Sequence, residues 1–289
     1  MKANKNTAIF TAILAAALYA LNSPISKLLL QEVSSTVMAG LLYLGAGVGL
    51  LLVRLIQKQM GRLPREEKLT RADTPYTVAM VVLDIAAPIC LMIGLSMTTA
   101  ANAALLNNFE IVATSVIALC IFGEKISRRL WAAIVLVTLA SIILTVEDAG
   151  SFQFSYGSLF VLLACVCWGF ENNCTRKISD KDPLQIVVIK GFGSGLGSLV
   201  IAFVIGERLP GIGPLLCAML LGFVAYGLSI FFYIYAQRTL GAAKTSAYYA
   251  VAPFIGAGLS LLIFREIPAA SFWVALLIMA AGTYLASAE

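Results

Sequence analysis

Long apolar runs alternate with short polar segments along the whole chain. A helix needs roughly 17 to 25 apolar residues to cross a hydrocarbon core of about 30 Å. The runs of that length lie at 7–30, 36–56, 76–96, 102–122, 131–147, 157–177, 184–205, 214–235, 244–264 and 271–287. The pattern predicts an all-α, polytopic membrane protein with ten transmembrane helices.

Composition supports this class. Of the 289 residues, 60% are hydrophobic and 12% are charged, and the mean hydropathy is +0.93. Soluble domains carry about 25% charged residues. The first run exceeds a signal-peptide core of roughly 7 to 15 residues, so we expect it to stay in the protein as a helix.

The positive charges lie mostly on one side of the predicted crossings. With alternating helices, sixteen Lys and Arg residues fall on the side of the N-terminus and two, Arg208 and Arg265, fall on the other. The sixteen are Lys2, Lys5, Arg54, Lys58, Arg62, Arg65, Lys68, Arg71, Lys125, Arg128, Arg129, Arg176, Lys177, Lys181, Arg238 and Lys244. The positive-inside tendency then predicts that both termini are cytoplasmic.

The chain contains an internal repeat. The residue pairs that match at offsets of 142 or 150 are Glu124 and Glu266, Trp131 and Trp273, Asn22 and Asn172, and Lys27 and Lys177. Five crossings per half is an odd number, so the halves, residues 1–149 and 150–289, must be inverted relative to each other. Inverted repeats predict a substrate site near mid-membrane between the halves.

Residues 107–131 show why a polar site is expected inside the membrane. Asn107, Asn108 and Glu110 lie in an otherwise apolar stretch that ends in a basic turn. A carboxylate at the helix centre costs roughly 2.5 to 3.5 kcal/mol on insertion scales, so Glu110 should face the bundle interior or a wet cavity. Glu124 and Glu266 close their runs at opposite membrane faces, which favours a structural or gating role.

Few ionisable residues and amides occur inside the runs. They are Lys27, Asp84, Glu110, Glu171, Lys190, Asn22, Asn107, Asn108, Asn172 and Asn173. They either bind the polar ends of a solute or hold the helices together by hydrogen bonds and ion pairs. Aromatic residues in the runs belong to the core or stack on a solute. The candidate substrate-binding residues are Asn22, Lys27, Asp84, Asn107, Glu110, Trp168, Glu171, Asn172, Tyr233 and Tyr248.

Glycine and proline positions suggest how the helices pack. Gly191, Gly193, Gly195 and Gly197 alternate within one run, where small residues allow close approach of helix backbones. Pro24, Pro88 and Pro253 fall inside runs, where each frees a backbone carbonyl and permits a kink.

Several kinds of site are not expected. The chain has no histidine, and its six cysteines lack metal-ligand spacing apart from Cys165 and Cys167, so we expect no metal and no cofactor. No nucleophile motif or sizeable soluble domain is present either, which argues against an enzyme.

The duplicated halves, the Asn-x4-Lys near the start of each, WGFENNCTRK, and the paired segments NNFEIVATSVIALCIFGEKISRRLW and AVAPFIGAGLSLLIFREIPAASFW resemble the EamA-type branch of the drug/metabolite transporter superfamily. The resemblance covers nearly the whole chain. It implies a secondary transporter of the bacterial inner membrane, often an exporter of amino acids or related metabolites. It also implies a cavity lined by the first, third, fourth, sixth, eighth and ninth crossings.

Our leading hypothesis is alternating-access export of small amphipathic metabolites such as amino acids. The solute ammonium would meet Glu110 or Glu171, its carboxylate Lys27 or Asn22, and tyrosines its side chain; proton coupling would use Glu110, Glu171 or Asp84. The alternatives are efflux of lipophilic cations, a facilitator without proton coupling, and a receptor or structural role. The expected partners are a small-molecule substrate, the lipid bilayer and protons, with no nucleic acid. A monomer suffices and a dimer stays open.

Overall fold

The computed structural model describes residues 5–61, 66–123, 126–148, 153–240, 245 and 248–287. Six charged residues discussed above lie outside this part of the chain: Lys2, Arg62, Arg65, Glu124, Lys125 and Lys244. The gating or structural role predicted for Glu124 therefore lies outside the described residues, whereas Glu266 is exposed after the twelfth helix.

The chain is almost entirely helical. The helices are α1 (Lys5–Ala20), α2 (Asn22–Leu29), α3 (Ser35–Gln59), α4 (Thr74–Met97), α5 (Ala100–Leu106), α6 (Phe109–Phe122), α7 (Arg128–Thr145), α8 (Tyr156–Ile178), α9 (Pro183–Val204), α10 (Ile212–Leu221), α11 (Ser229–Leu240), α12 (Ala252–Phe264) and α13 (Ala270–Ser287). A 3₁₀ turn, Arg71–Asp73, precedes α4, and a π-helical segment, Gly222–Leu228, joins α10 to α11. The short antiparallel strands β1 (Val146–Asp148) and β2 (Gln153–Phe154) were not predicted.

The prediction of an all-α protein with ten crossings is confirmed. Eight helical segments in the described chain are long and apolar enough to span a membrane, and the two shorter apolar helices near the C-terminus complete the set. Large apolar side chains point outward along them; Val204, Ile212 and Leu262 are 75–80% exposed. Such a surface suits contact with lipid.

Three crossings are broken where continuous helices were expected. The first is interrupted at Leu21, the fourth at Asn107 and Asn108, and the ninth at Ala250 and Val251. Pro24 explains the first break, because it has no N–H to donate to the Ala20 carbonyl and its ring crowds that oxygen. At the second break the amides switch to 3₁₀ bonds, such as Asn108 N–H to the Leu105 carbonyl at 3.2 Å. The first two breaks lie inside the bundle, where irregular backbone is tolerated.

The halves pack in the pattern that inverted repeats require. Helix α4 packs against α8, and the equivalent pair in the opposite sense is α11 against α1. Three further interfaces join a helix to its own counterpart: α3 to α9, α5 to α12, and α7 to α13. The chain therefore forms two inverted five-helix repeats.

The alternating glycines of α9 face two different helices. A Cβ atom built on Gly191 would lie 2.8 Å from the Tyr43 carbonyl oxygen of α3, and one built on Gly193 would lie 2.9 Å from Val81 of α4. Residues two apart on a helix point in different directions, because each residue turns the helix by about 100°. Glycine at both positions therefore lets α9 approach α3 and α4 at once. This close packing places Lys190 between them.

The connection before α4 docks on the start of α9. The Asp182 amide donates to the Glu67 carbonyl at 2.8 Å, and Arg54 pairs with the Asp182 carboxylate at 3.2 Å. The Lys181 ammonium lies 2.8 Å from the Glu67 carboxylate, and this hydrogen bond lowers the pKa of Glu67. This segment thus fastens the first half to the second.

At the other membrane face, Glu207 caps helix α3. Its carboxylate accepts hydrogen bonds from the Ser34 hydroxyl and the Val37 amide, both at 2.8 Å. A carboxylate at a helix N-terminus satisfies free amides and matches the helix dipole. Each face of the membrane therefore has polar contacts between the halves.

Candidate functional site

Three charged side chains meet inside the bundle and form the acid–ammonium cluster: Asp84 from α4, Glu171 from α8 and Lys190 from α9. The Lys190 ammonium lies 2.7 Å from Oε1 of Glu171 and 3.1 Å from Oδ2 of Asp84. All three are at least 95% buried. Buried charges are stable only when they are paired and hydrogen-bonded, so each depends on the others.

Hydroxyl groups hold the two carboxylates in place. The Tyr43 hydroxyl donates to Oδ1 of Asp84 at 2.7 Å, and the Thr175 hydroxyl donates to Oε1 of Glu171. Oδ2 of Asp84 accepts no directed hydrogen bond from any described residue, although Lys190 is within ion-pair distance. The Asp84–Lys190 contact is therefore an ion pair rather than a directed hydrogen bond.

A third carboxylate, Glu110 at the start of α6, lies beside the cluster. Asn172 on α8 donates to its Oε1 at 2.5 Å and reaches the Thr114 hydroxyl at 3.4 Å. Glu110 is paired with the Asn172 amide, forms no salt bridge with a cation of the described residues, and keeps partial exposure. Together with the cluster it gives three carboxylates and one ammonium group in this part of the described bundle.

Five tyrosines lead from the far side of the bundle to Asp84. In this tyrosine row the ring centroids of Tyr233 and Tyr249 are 5.0 Å apart, those of Tyr249 and Tyr19 5.8 Å, those of Tyr19 and Tyr226 5.9 Å, and those of Tyr226 and Tyr43 5.1 Å. Trp168 meets Tyr19 edge-on at 6.5 Å. Asn22 donates to the Tyr226 hydroxyl at 3.2 Å. The row offers aromatic faces and edges next to charged groups.

The charged groups lie deep in their helices. At 1.5 Å per residue, Asp84 is about 15 Å from the start of α4 and Glu110 about 18 Å from the end of α6. Glu171 and Lys190 are each about 10 Å from the helix ends on that same side of the bundle. In a hydrocarbon core of about 30 Å, the four charged groups therefore lie between about 10 and 18 Å from that side of the bundle, which places them from the mid-plane toward one face.

Two candidate residues lie away from this group. The Lys27 ammonium donates to the carbonyls of Leu95, Ser96 and Thr98, at 2.6, 3.2 and 2.7 Å, and so caps the C-terminus of α4. A cation there complements the helix dipole. Tyr248 is 36% exposed, just before α12. Contact of either residue with a solute stays a prediction.

The polar groups of the site bond to one another in this structure. A cavity where broken helices meet, lined by Tyr19, Ser23, Asn107, Pro253 and Gly256 among others, has a volume of about 10 Å³. Ligand pockets usually measure roughly 300 to 1,000 Å³, whereas a volume of about 10 to 15 Å³ holds one water molecule. A solute chamber between the halves stays a prediction.

Sequence reasoning left Lys190 and most of the tyrosine row out of the candidate set. A helix-period signal would have found part of them. Tyr19, Asn22, Ser23 and Ser26 follow an i, i+3, i+4, i+7 spacing, as do Trp168, Glu171, Asn172 and Thr175. That spacing places each set on one helix face. In a membrane helix a polar stripe of this kind indicates the inward face.

Comparisons with known proteins agree with the fold and identify the family. The model of the EamA-like transporter family matches the chain twice, over residues 6–146 and 155–288. An uncharacterized transporter of Methanothermobacter thermautotrophicus is 24% identical over 273 residues, which cover 88% of this chain and 78% of that protein. One crystal structure superposes with a TM-score of 0.67 at 17% identity, covering 98% of this chain and 96% of the other, and supports the fold alone. The chain belongs to the EamA-like transporter family and is a membrane transporter, not an enzyme.

Proposed function

We propose that this transporter exports small amphipathic metabolites such as amino acids by alternating access at the acid–ammonium cluster and the tyrosine row. The observation that carries the proposal is the joint burial of Asp84, Glu171 and Lys190, with the partly exposed Glu110 beside them, next to five tyrosine rings. Side chains that only hold helices together would not need this many charges in one place, since each charge costs free energy in the membrane.

Each part of the site suits one part of an amino acid. Glu110 faces no cation among the described residues and would pair with the solute ammonium, displacing the Asn172 amide. The released amide and Asn22 can donate hydrogen bonds to the solute carboxylate. The tyrosine row would enclose an apolar or aromatic side chain, because ring edges and faces pack well against such groups.

The proposed transport cycle is a rocking motion of two units, residues 1–149 and 150–289. The polar contacts at the Glu67 and Glu207 sites fasten the units at opposite membrane faces. Opening one face would require releasing one of these contacts while keeping the other. The bias of Lys and Arg toward one side supports a cytoplasmic location of both termini, in the inner membrane of the cell.

Counterflow in proteoliposomes tests the proposal. Vesicles are loaded with an unlabelled amino acid, and uptake of the labelled compound is followed for a panel of amino acids, nucleosides and cationic dyes, with and without a pH gradient. We expect saturable amino-acid counterflow, abolished in Glu110→Gln. Trp273→Phe, on the outer surface of α13, is the control and should keep the activity. Absence of counterflow for every amino acid would refute the proposal.

Efflux of lipophilic cations is the second candidate, and the charge balance favours it. Three carboxylates against one ammonium leave a negative excess that a permanent cation would neutralise, and tyrosine faces bind cations as well. Competition by quaternary ammonium dyes that is lost in Glu110→Gln, with no effect of amino acids, would select this function. Flux that does not respond to a pH gradient would identify a facilitator without proton coupling.

A further inference from the structure

We propose that Asp84 binds the coupling proton on Oδ2, and that this proton breaks an ion pair between the two halves. The inference rests on the proposed transport function, whose solute contact is Glu110. Asp84 is fully buried, and the contact of its Oδ2 atom among the described residues is the ion pair with Lys190 at 3.1 Å. A proton on Oδ2 therefore breaks that ion pair and leaves the hydrogen bond from Tyr43 to Oδ1 in place.

Charge counting supports a proton at this position. With Asp84, Glu171 and Lys190 all ionised, the cluster carries one negative charge in the middle of the membrane. Excess charge is costly there. A proton on Asp84 makes the cluster neutral and leaves Lys190 paired with Glu171 at 2.7 Å. The Lys190 ammonium lies between the two carboxylates, so a single proton makes the cluster neutral and no metal cation is needed.

The contacts of Asp84 explain how the proton could control motion. Asp84 and Tyr43 belong to the first half, whereas Glu171 and Lys190 belong to the second. The Asp84–Lys190 ion pair therefore joins the halves, whereas the contacts of Tyr43 with Asp84 and of Lys190 and Thr175 with Glu171 stay within one half. Protonation of Asp84 therefore weakens a contact between the halves that opposes rocking.

Helix α4 is also weakened at this residue. Pro88 lies inside α4, four residues after Asp84, and has no N–H to donate to the Asp84 carbonyl. A helix that lacks this bond bends more easily at that turn. The proton site thus coincides with the point at which α4 can hinge.

The groups that face Asp84 limit the competing explanations. Helices α2, α3, α5, α8 and α9 and the 3₁₀ turn pack against α4. Near Asp84 they contribute Tyr43, Glu171 and Lys190, whereas Lys27, Arg71 and Asp73 lie at the ends of α4, about 15 Å or more along its axis. Tyr226 and Glu110 are the next titratable groups.

The proton step is balanced. A hydronium ion from water on one side gives its proton to Oδ2 of Asp84, an O–H bond forms, and the water molecule leaves. After rocking, that O–H bond breaks and the proton passes to water on the other side, while the ion pair to Lys190 re-forms. The carboxyl group ends the cycle as it began.

A fluorescence titration tests the site without any solute. In a Trp131→Phe/Trp273→Phe background, Trp168 is the one remaining tryptophan, on α8 three residues before Glu171. We expect its emission to change with pH in a single one-proton step. Asp84→Asn should remove the step, Asp84→Glu should keep it, and Glu110→Gln and the exposed-site control Asp180→Asn should keep it as well. Thermal unfolding of each variant verifies that it is folded.

Transport separates this inference from the proposed function. In proteoliposomes Asp84→Asn should lower the ratio of pH-gradient-driven accumulation to counterflow by about 10-fold, within the usual range of coupling energies. A titration step that persists in folded Asp84→Asn, or undiminished gradient-driven accumulation, would overturn the proton site. If instead the wild type shows the Asp84-dependent step but no amino-acid counterflow, the proton site stands and the proposed solute is wrong.

Discussion

Replacement of Gly191 by alanine tests whether the contact of α3 with α9 positions the site. A Cβ atom at Gly191 would lie 2.8 Å from the Tyr43 carbonyl oxygen and closer still to the backbone of Gly47. Ordinary contacts of a Cβ atom are 3.4 to 4 Å. The atoms in the way belong to the backbone and cannot rotate aside, so the two helices must separate by about 1 Å.

The expected loss follows from two opposing effects. Overpacking of a tight interface costs about 1 to 3 kcal/mol. Replacing glycine by alanine inside a helix returns up to about 1 kcal/mol. We therefore expect a net loss of about 1 to 2 kcal/mol, which lowers the melting temperature by roughly 2 to 8 °C for a chain of this size. Because Lys190 precedes Gly191, the same displacement should also lengthen the Asp84–Lys190 ion pair.

The assay is thermal unfolding of the purified protein in detergent. Gly258→Ala is the matched control, because Gly258 lies inside α12 and a Cβ atom there would have no neighbour within 4 Å. The control should melt at or slightly above the temperature of the wild type. If Gly191→Ala proves as stable as Gly258→Ala, the close approach of α3 and α9 is not rigid and the reasoning fails.

Three further predictions concern polar contacts near the membrane faces. Lys27→Met removes three hydrogen bonds at the end of α4 and should lower the free energy of unfolding by about 1 to 3 kcal/mol. The KM of counterflow should not change. A raised KM at unchanged stability would instead make Lys27 a solute ligand. Glu207→Gln should weaken the cap of α3 by about 1 kcal/mol and speed hydrogen exchange at the Val37 amide, and equal exchange rates would contradict the cap. The pKa of Glu67 lies below its usual 4.5 because of Lys181, so this contact is complete above pH 4.5 and is lost as the pH falls through the lowered pKa. The protection factor of the Asp182 amide, which corrects for the pH dependence of intrinsic exchange, should then fall at low pH, and Lys181→Met should remove this fall.

The crossings could be predicted from the sequence to within a few residues at most ends. A transmembrane helix must be apolar over a fixed length, so the pattern is local and strong. The break at Asn107 and Asn108 could not be predicted in this way, since that stretch contains no glycine or proline. Its 3₁₀ bonds are stabilised by packing against α8 and α12, which the local sequence does not encode.

The candidate site was predicted in part. Asp84, Glu110 and Glu171 stood out because a carboxylate is costly inside a membrane. Their partners were not identified, because Tyr43 is 41 residues from Asp84 and Asn172 is 62 residues from Glu110, and such pairs depend on how the helices pack. The exposed location of Tyr248 and the capping role of Lys27 depend on packing in the same way.

The repeat itself explains why the charges and the tyrosines occupy opposite sides of the site. At the offset of 142, Asp84 corresponds to Tyr226 and Glu110 to Ala252, and at the offset of 150, Glu171 corresponds to Leu21. Each carboxylate therefore has an uncharged counterpart, although the helices that carry them are equivalent. Tyr43 contacts both members of the first pair, through its hydroxyl to Asp84 at 2.7 Å and its ring to Tyr226 at 5.1 Å. A scaffold with near two-fold symmetry thus holds an asymmetric site, with one charged side and one aromatic side, as an amphipathic solute with one charged end requires.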